Sequence, residues 1–128
     1  MPKLYKRVTE WFALEDDPMG GRIEVAHLEP HEISLIVNRT TRTVNRVGLD
    51  NKPERVQEID LELDRQETAD LAVVNWENFF DADGAALPCT SENKRLWALD
   101  AWFARHLKEK REQLAARVAE ERQAAEKN

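Results

Sequence analysis

From Lys108 onward the text KEKREQLAARVAEERQAAEKN contains neither glycine nor proline, and its only large apolar residues are Leu114 and Val118. A backbone without breakers and with closely spaced opposite charges favours helix. So polar a surface cannot bury itself alone, however. The reading is a helical arm over 108–128 that projects from a globular domain over 1–107. With 128 residues in all, the chain has the modal size of one domain, so a single hydrophobic core has to come from what precedes the arm.

The richest apolar text lies immediately upstream. ENKRLWALDAWFARHL, capped by Thr90 or Ser91, sets Leu96, Trp97, Leu99, Trp102, Phe103, His106 and Leu107 on one broad stripe and is expected to supply most of the core. Near the other end, the apolar run Val8, Trp11, Phe12 and Leu14 is followed by the turn-rich DDPMGG and then by alternating Ile23, Val25 and His27. That pattern predicts an antiparallel hairpin, which is only marginally stable unless it lies on helices.

Between these segments, Pro30 suits a first helical position and Glu32 a first turn. Ile33, Ile36, Val37, Thr40, Val44 and Val47 recur at spacings of three and four, predicting a helix of about four turns that stops at the breakers Gly48 and Pro53. EIDLELD alternates apolar and acidic residues and fits a short strand or extended linker, with helix as a further alternative. Asp64 followed by Glu67 resembles a capping arrangement that opens a second helix, with Leu71, Val74 and Trp76 facing inward. The expected fold is α+β: an N-terminal antiparallel hairpin packed on about three helices, the last continuing as a long charged helix.

Charge narrows the function classes. A formal net charge of -6 opposes general affinity for phosphate backbones, which depends on positive charge displacing counterions. The one concentration of cations, Arg39, Arg42 and Arg46 in NRTTRTVNR, supports an alternative reading as a small regulatory or nucleic-acid accessory protein, and reads more plainly as a solvated helix face. Cys89 is the single cysteine, no apolar run approaches the roughly 20 residues of a membrane span, and the N-terminus carries no signal-peptide pattern. Work in a reducing cytoplasm is expected.

Catalytic and metal motifs are weak. His27 and His31 bracket Glu29, but Pro30 between them keeps them off a common helical face, and Cys89 or His106 would have to complete a zinc site. Cys89 precedes a helix start, which can activate a thiol, but no histidine stands at a recognisable spacing from it. No enzyme activity, cofactor or metal is expected. In DADG the glycine comes fourth, whereas a calcium loop needs it sixth, so Asp81, Asp83 and Gly84 read as a tight turn.

The stretch VVNWENFFDADGAALPCTSENKRLW joins these features: an apolar element ending in Trp76, the acidic loop at Asp81, Asp83 and Gly84, then Leu87, Pro88, a cap at Thr90, and Glu92 with Asn93. It resembles a pattern in the tail assembly chaperones of long-tailed phages and prophages. Cys89 departs from that pattern, standing where an apolar or aromatic residue is more usual. The match covers about a fifth of the chain and is structural rather than catalytic, with the helix start LEPHE a second match in the same order. The resemblance implies a non-enzymatic protein that coats the tape-measure protein, keeps it soluble, helps the tail tube protein polymerise, self-associates, and is absent from the finished virion. The partner contacts expected on that basis are Trp97, Trp102 and Phe103 on the aromatic helix and Leu114 and Val118 on the arm.

Overall fold

Asp17 organises the first turn of the chain. Its carboxylate accepts hydrogen bonds from the backbone N–H groups of Met19 (3.0 Å) and Gly21 (2.9 Å), and Gly20 takes φ 71°, the left-handed conformation glycine adopts without steric cost. The turn joins β1 (Thr9–Ala13) to β2 (Arg22–Ala26) as the expected antiparallel hairpin. The computed structural model describes residues 5–127. Over these the chain is α+β, continuing with α1 (Pro30–Thr40), β3 (Thr41–Val47), β4 (Pro53–Ile59), α2 (Leu61–Ala72), β5 (Val73–Glu77), α3 (Ser91–Ala98) and α4 (Ala101–Lys127).

Several of these elements differ from the sequence expectation, for local reasons. The helix expected as far as Val47 stops at Thr40, where the β-branched residues Thr41, Thr43 and Val44 pass into strand β3 and pair with β4 in a second hairpin. Only Ile36 and Thr40 of the expected stripe are buried. The second helix starts at Leu61 because Asp60, not Asp64, is the cap: its side chain accepts from the Leu63 N–H at 3.1 Å. The chain then leaves helix at Val73 and becomes strand β5.

β5 closes the principal sheet, whose order is β1-β2-β5 with β2 central and both pairings antiparallel. Ile23 faces Trp76, but Val25 faces Val73, so β5 carries one extra residue opposite Glu24/Val25. This irregularity has a packing consequence. Strand side chains alternate with period two, so residues three apart should point to opposite faces; the extra residue lets both Val73 and Trp76 face the core.

The aromatic helix is two helices. Asp100 interrupts it by accepting from the Phe103 N–H at 3.0 Å, a new N-cap that starts α4. α3 is held on α2 by cations: Lys94 donates to the carbonyls of Asp70 (2.8 Å) and Val73 (2.9 Å), satisfying the open end of α2, while Arg95 meets Glu67 at 3.1 Å and Asp70 at 3.2 Å.

α4 does not project freely as the sequence suggested. It lies against β2 and α2, and Phe103, Leu114 and Val118 are 0%, 1% and 2% exposed, inside the same core as Ile23, Val25, Val73 and Trp76. Polar contacts continue outward, where Arg122 forms a two-point ion pair with Glu29 (2.7 and 3.2 Å) and stacks over Tyr5 at 3.7 Å. The division at residue 107 therefore cuts through a packed helix.

Leu114→Ala is accordingly expected to lower the free energy of unfolding by about 2–5 kcal/mol, the range for emptying a buried leucine site. Urea denaturation followed by circular dichroism measures it. A change below about 0.5 kcal/mol, the surface value, would show that the helix is unpacked there.

Candidate interaction surface

The DADG corner is built from its own side chains. Asp81 accepts from the N–H groups of Asp83 (2.9 Å) and Ala85 (3.0 Å), the Gly84 N–H reaches the Asp81 carbonyl at 3.1 Å, and Gly84 takes φ 82°. Pro88 leads into α3, where the Thr90 hydroxyl caps the Asn93 N–H at 3.2 Å and the Asn93 side chain donates to the Pro88 carbonyl at 2.9 Å. The Trp76 indole N–H donates to the Leu87 carbonyl at 2.7 Å, tying the end of the corner back onto β5. Asp81 and Gly84 thus serve the turn, Thr90 the helix start and Trp76 the tie. The side chain of Asp83 is exposed, with only its backbone N–H engaged.

Beneath the corner sits an aromatic cluster. Phe79 stacks on Trp76 (4.5 Å between centroids, 3° between planes) and presents its ring to the edges of Trp97 (5.4 Å) and Phe103 (6.0 Å). Of the five residues expected to meet a partner, Phe103, Leu114 and Val118 are buried here in the core, a correction to the sequence reading. Trp97 and Trp102 are half-buried. These two border a cleft of about 240 Å³ whose outer wall is Met19 and Phe80, 61% and 36% exposed, with Asp17 and Asn78 completing it. Met19 and Phe80 are members of this surface that the sequence reading missed, because Met19 lies in a turn and Phe80 in an isolated bridge to Ala86, and neither follows a helical or strand period.

Beside the cleft, a latch ties the β1–β2 turn to α4. Trp102, His106 and Lys110 recur every four residues and so share one face of α4. Trp102 donates its indole N–H to Asp16 at 3.0 Å. His106 is buried with its ring against Trp102, Nε2 2.7 Å from Asp16 Oδ1 and Nδ1 3.8 Å from Glu15, neither nitrogen in well-aligned hydrogen-bond geometry. Lys110, also buried, pairs with Glu15 and lies 5.9 Å from the Phe12 ring centre. The hydrogen bond from Lys110 holds the Glu15 carboxyl below its ordinary pKa.

A second depression, larger at about 620 Å³, runs between α2 and α4. Its floor is small, with Ala98, Ala101, Ala104 and Ala115; its sides carry the cations Arg65, Arg105, Lys108 and Arg111 and the acids Asp64 and Glu112.

The remaining sequence candidates are dispersed or already occupied. Arg39 pairs with Glu67 (3.2 Å), Arg42 with Glu58 (3.1 Å) and Asp60 (3.7 Å), and Arg46 with Glu58, so carboxylates already neutralise the charge that a phosphate would need. His27 stands 3.9 Å from Glu29, His106 belongs to the latch, and among the described residues no three His, Cys, Asp or Glu side chains assemble into a group able to hold a metal ion. Burial raises the Cys89 thiol pKa against a smaller opposing pull from Lys94, which keeps the thiol protonated and a poor nucleophile. No helix among the described residues is long and apolar enough to cross a membrane. No family model, curated protein or solved structure matches this chain.

The Glu29–Arg122 pair gives a pH signature. The hydrogen bond from Arg122 lowers the Glu29 pKa in the folded state, so its stabilisation is complete above the ordinary glutamate pKa of about 4.3 and is lost as pH falls through the lower folded value. Glu29→Gln is expected to reduce the urea midpoint at neutral pH and to leave a shallower loss of stability on acidification below about pH 4. Parallel midpoints for the two proteins across that range would contradict the linkage.

Proposed function

We propose that this chain is a non-enzymatic tail assembly chaperone of a long-tailed phage or prophage, binding the tape-measure protein and assisting assembly of the tail tube. The observation that carries the reading is the coincidence of motif and surface. The corner through which the chain resembles that family also positions Phe79 and Phe80, and the cleft beside it exposes Trp97, Trp102, Met19 and Phe80. Aromatic residues and methionine are the types enriched at interface centres, and methionine adapts to apolar partners of variable shape. A long helical tape-measure chain presents repeated apolar side chains, and a cleft of this size suits one such anchor at a time. On this reading the protein works in the bacterial cytoplasm, self-associates along the tape and stays out of the finished virion.

The test is co-expression with a tape-measure protein. The tape-measure protein is expected to stay soluble and to co-purify at high salt, since an apolar contact is not screened. The pair Met19→Asp and Phe80→Asp is expected to abolish recovery while the chain keeps its helical circular dichroism. Leu49→Asp, at the fully exposed tip of the β3–β4 hairpin, serves as a control that leaves recovery unchanged. Equal tape-measure solubility with and without the chain would sink the reading.

A further inference from the structure

Among the described residues, Arg111 is a half-buried cation without a direct partner. It is half-buried on the wall of the α2–α4 groove, and among the described residues no hydrogen bond or ion pair engages its guanidinium. Asp64 and Glu112 act on it only from beyond contact distance, and burial, the largest influence, lowers its pKa. A cation withdrawn from water without a direct partner costs stability. Arg122 and Arg95, by comparison, each meet carboxylates directly.

The surroundings of Arg111 have a charge and shape of their own. Four cations and two acids line the groove, a local positive balance in a chain of net charge -6. Arg105 is turned to Asp16 at 3.5 Å, whereas Arg65 and Lys108, like Arg111, make no ion pair among the described residues. Besides Thr68 and Leu107, the lining between the charged residues is the small side chains of Ala98, Ala101, Ala104 and Ala115. Small residues at a helix contact allow close approach, so a groove between two helices with such a lining suits a third helix.

We propose that the α2–α4 groove binds an acidic helical segment of a partner protein, with a carboxylate of that segment paired to Arg111. The guanidinium fork matches a carboxylate at two points, and the helix backbone would lie over the alanine floor. Arg65 and Lys108 would meet further acids at the rim and contribute mainly to the rate of encounter. This groove is separate from the aromatic cleft, and the inference stands whether or not the partner is a tape-measure protein.

The experiment uses the full chain, labelled with nitrogen-15, titrated with an alanine-based peptide of about 20 residues, long enough to hold helix alone. The peptide carries Glu along one face, and matched peptides carry Gln or Lys instead. The Glu peptide is expected to shift the amide signals of Ala98, Ala101, Ala104 and Ala115, and to bind at least about tenfold more tightly than the Gln peptide, the scale of one charge-assisted pair. Arg111→Met should remove that preference and raise the denaturation midpoint of the free chain, because an unpaired half-buried charge is gone. Ala101→Trp, which fills the trough, should block binding with the rest of the spectrum unchanged. Equal affinity for Glu and Gln peptides, shifts lying elsewhere, or a lowered midpoint for Arg111→Met with binding intact would each overturn the proposal. So would groove signals that move with protein concentration alone, which would assign the face to a second copy of the chain.

Discussion

Phe79 is the contact on which the rest of the structure depends. Its ring lies flat on Trp76 of β5 and meets the edges of Trp97 of α3 and Phe103 of α4, so one side chain in a loop joins the sheet to both C-terminal helices. The adjacent hydrogen bond from Trp76 to Leu87 places the corner over this cluster and satisfies the indole N–H that burial would otherwise strand. Remove the aromatic contact and the corner has no reason to fold back; remove the corner and Phe79 has no fixed position. The DADG sequence is therefore an architectural device, and its hydrogen-bonding side chains are spent on shaping the loop.

α4 extends that arrangement along the whole molecule. Near its start it supplies Phe103 to the aromatic cluster; further along it supplies Leu114 and Val118 to the sheet; near its end it reaches Glu29 at the start of α1 through Arg122. Its other faces carry the Trp102–His106–Lys110 latch and the alanine floor of the groove. One helix thus sets the position of both surfaces proposed to meet partners. The β3–β4 hairpin contrasts with this, since neither of its strands contains a buried residue and the two arginines of β3, Arg42 and Arg46, pair with Glu58 and Asp60.

Much was legible from local chemistry. The first hairpin, the turn at Asp81 to Gly84, the Thr90 cap and the helical nature of the last segment all follow from side chains acting on backbone within a few residues. The partner face was less legible. Trp97 and Trp102 are half-buried beside the cleft, Phe103, Leu114 and Val118 are enclosed, and Met19 and Phe80 join the cleft from positions that no periodicity marks. Charge carried a similar ambiguity: three arginines at helical spacing read as one solvated face, whereas Arg39 closes α1 and Arg42 and Arg46 lie on a strand.

What the sequence determined by itself is where many backbone preferences change: the cap at Thr90, the left-handed glycines at Gly20 and Gly84, and the helical nature of the last segment, all set by contacts within about one turn, whereas the caps at Asp60 and Asp100 emerged only with the structure. The structure alone decided what those elements face. The extra residue that turns both Val73 and Trp76 inward depends on register with β2, and the burial of Leu114 and Val118 depends on the sheet offering an apolar surface to an otherwise polar helix. The place of Arg111 on the wall of the α2–α4 groove depends likewise on where α2 comes to lie. These outcomes rest on contacts between segments far apart in the chain, whose free energy no local pattern records.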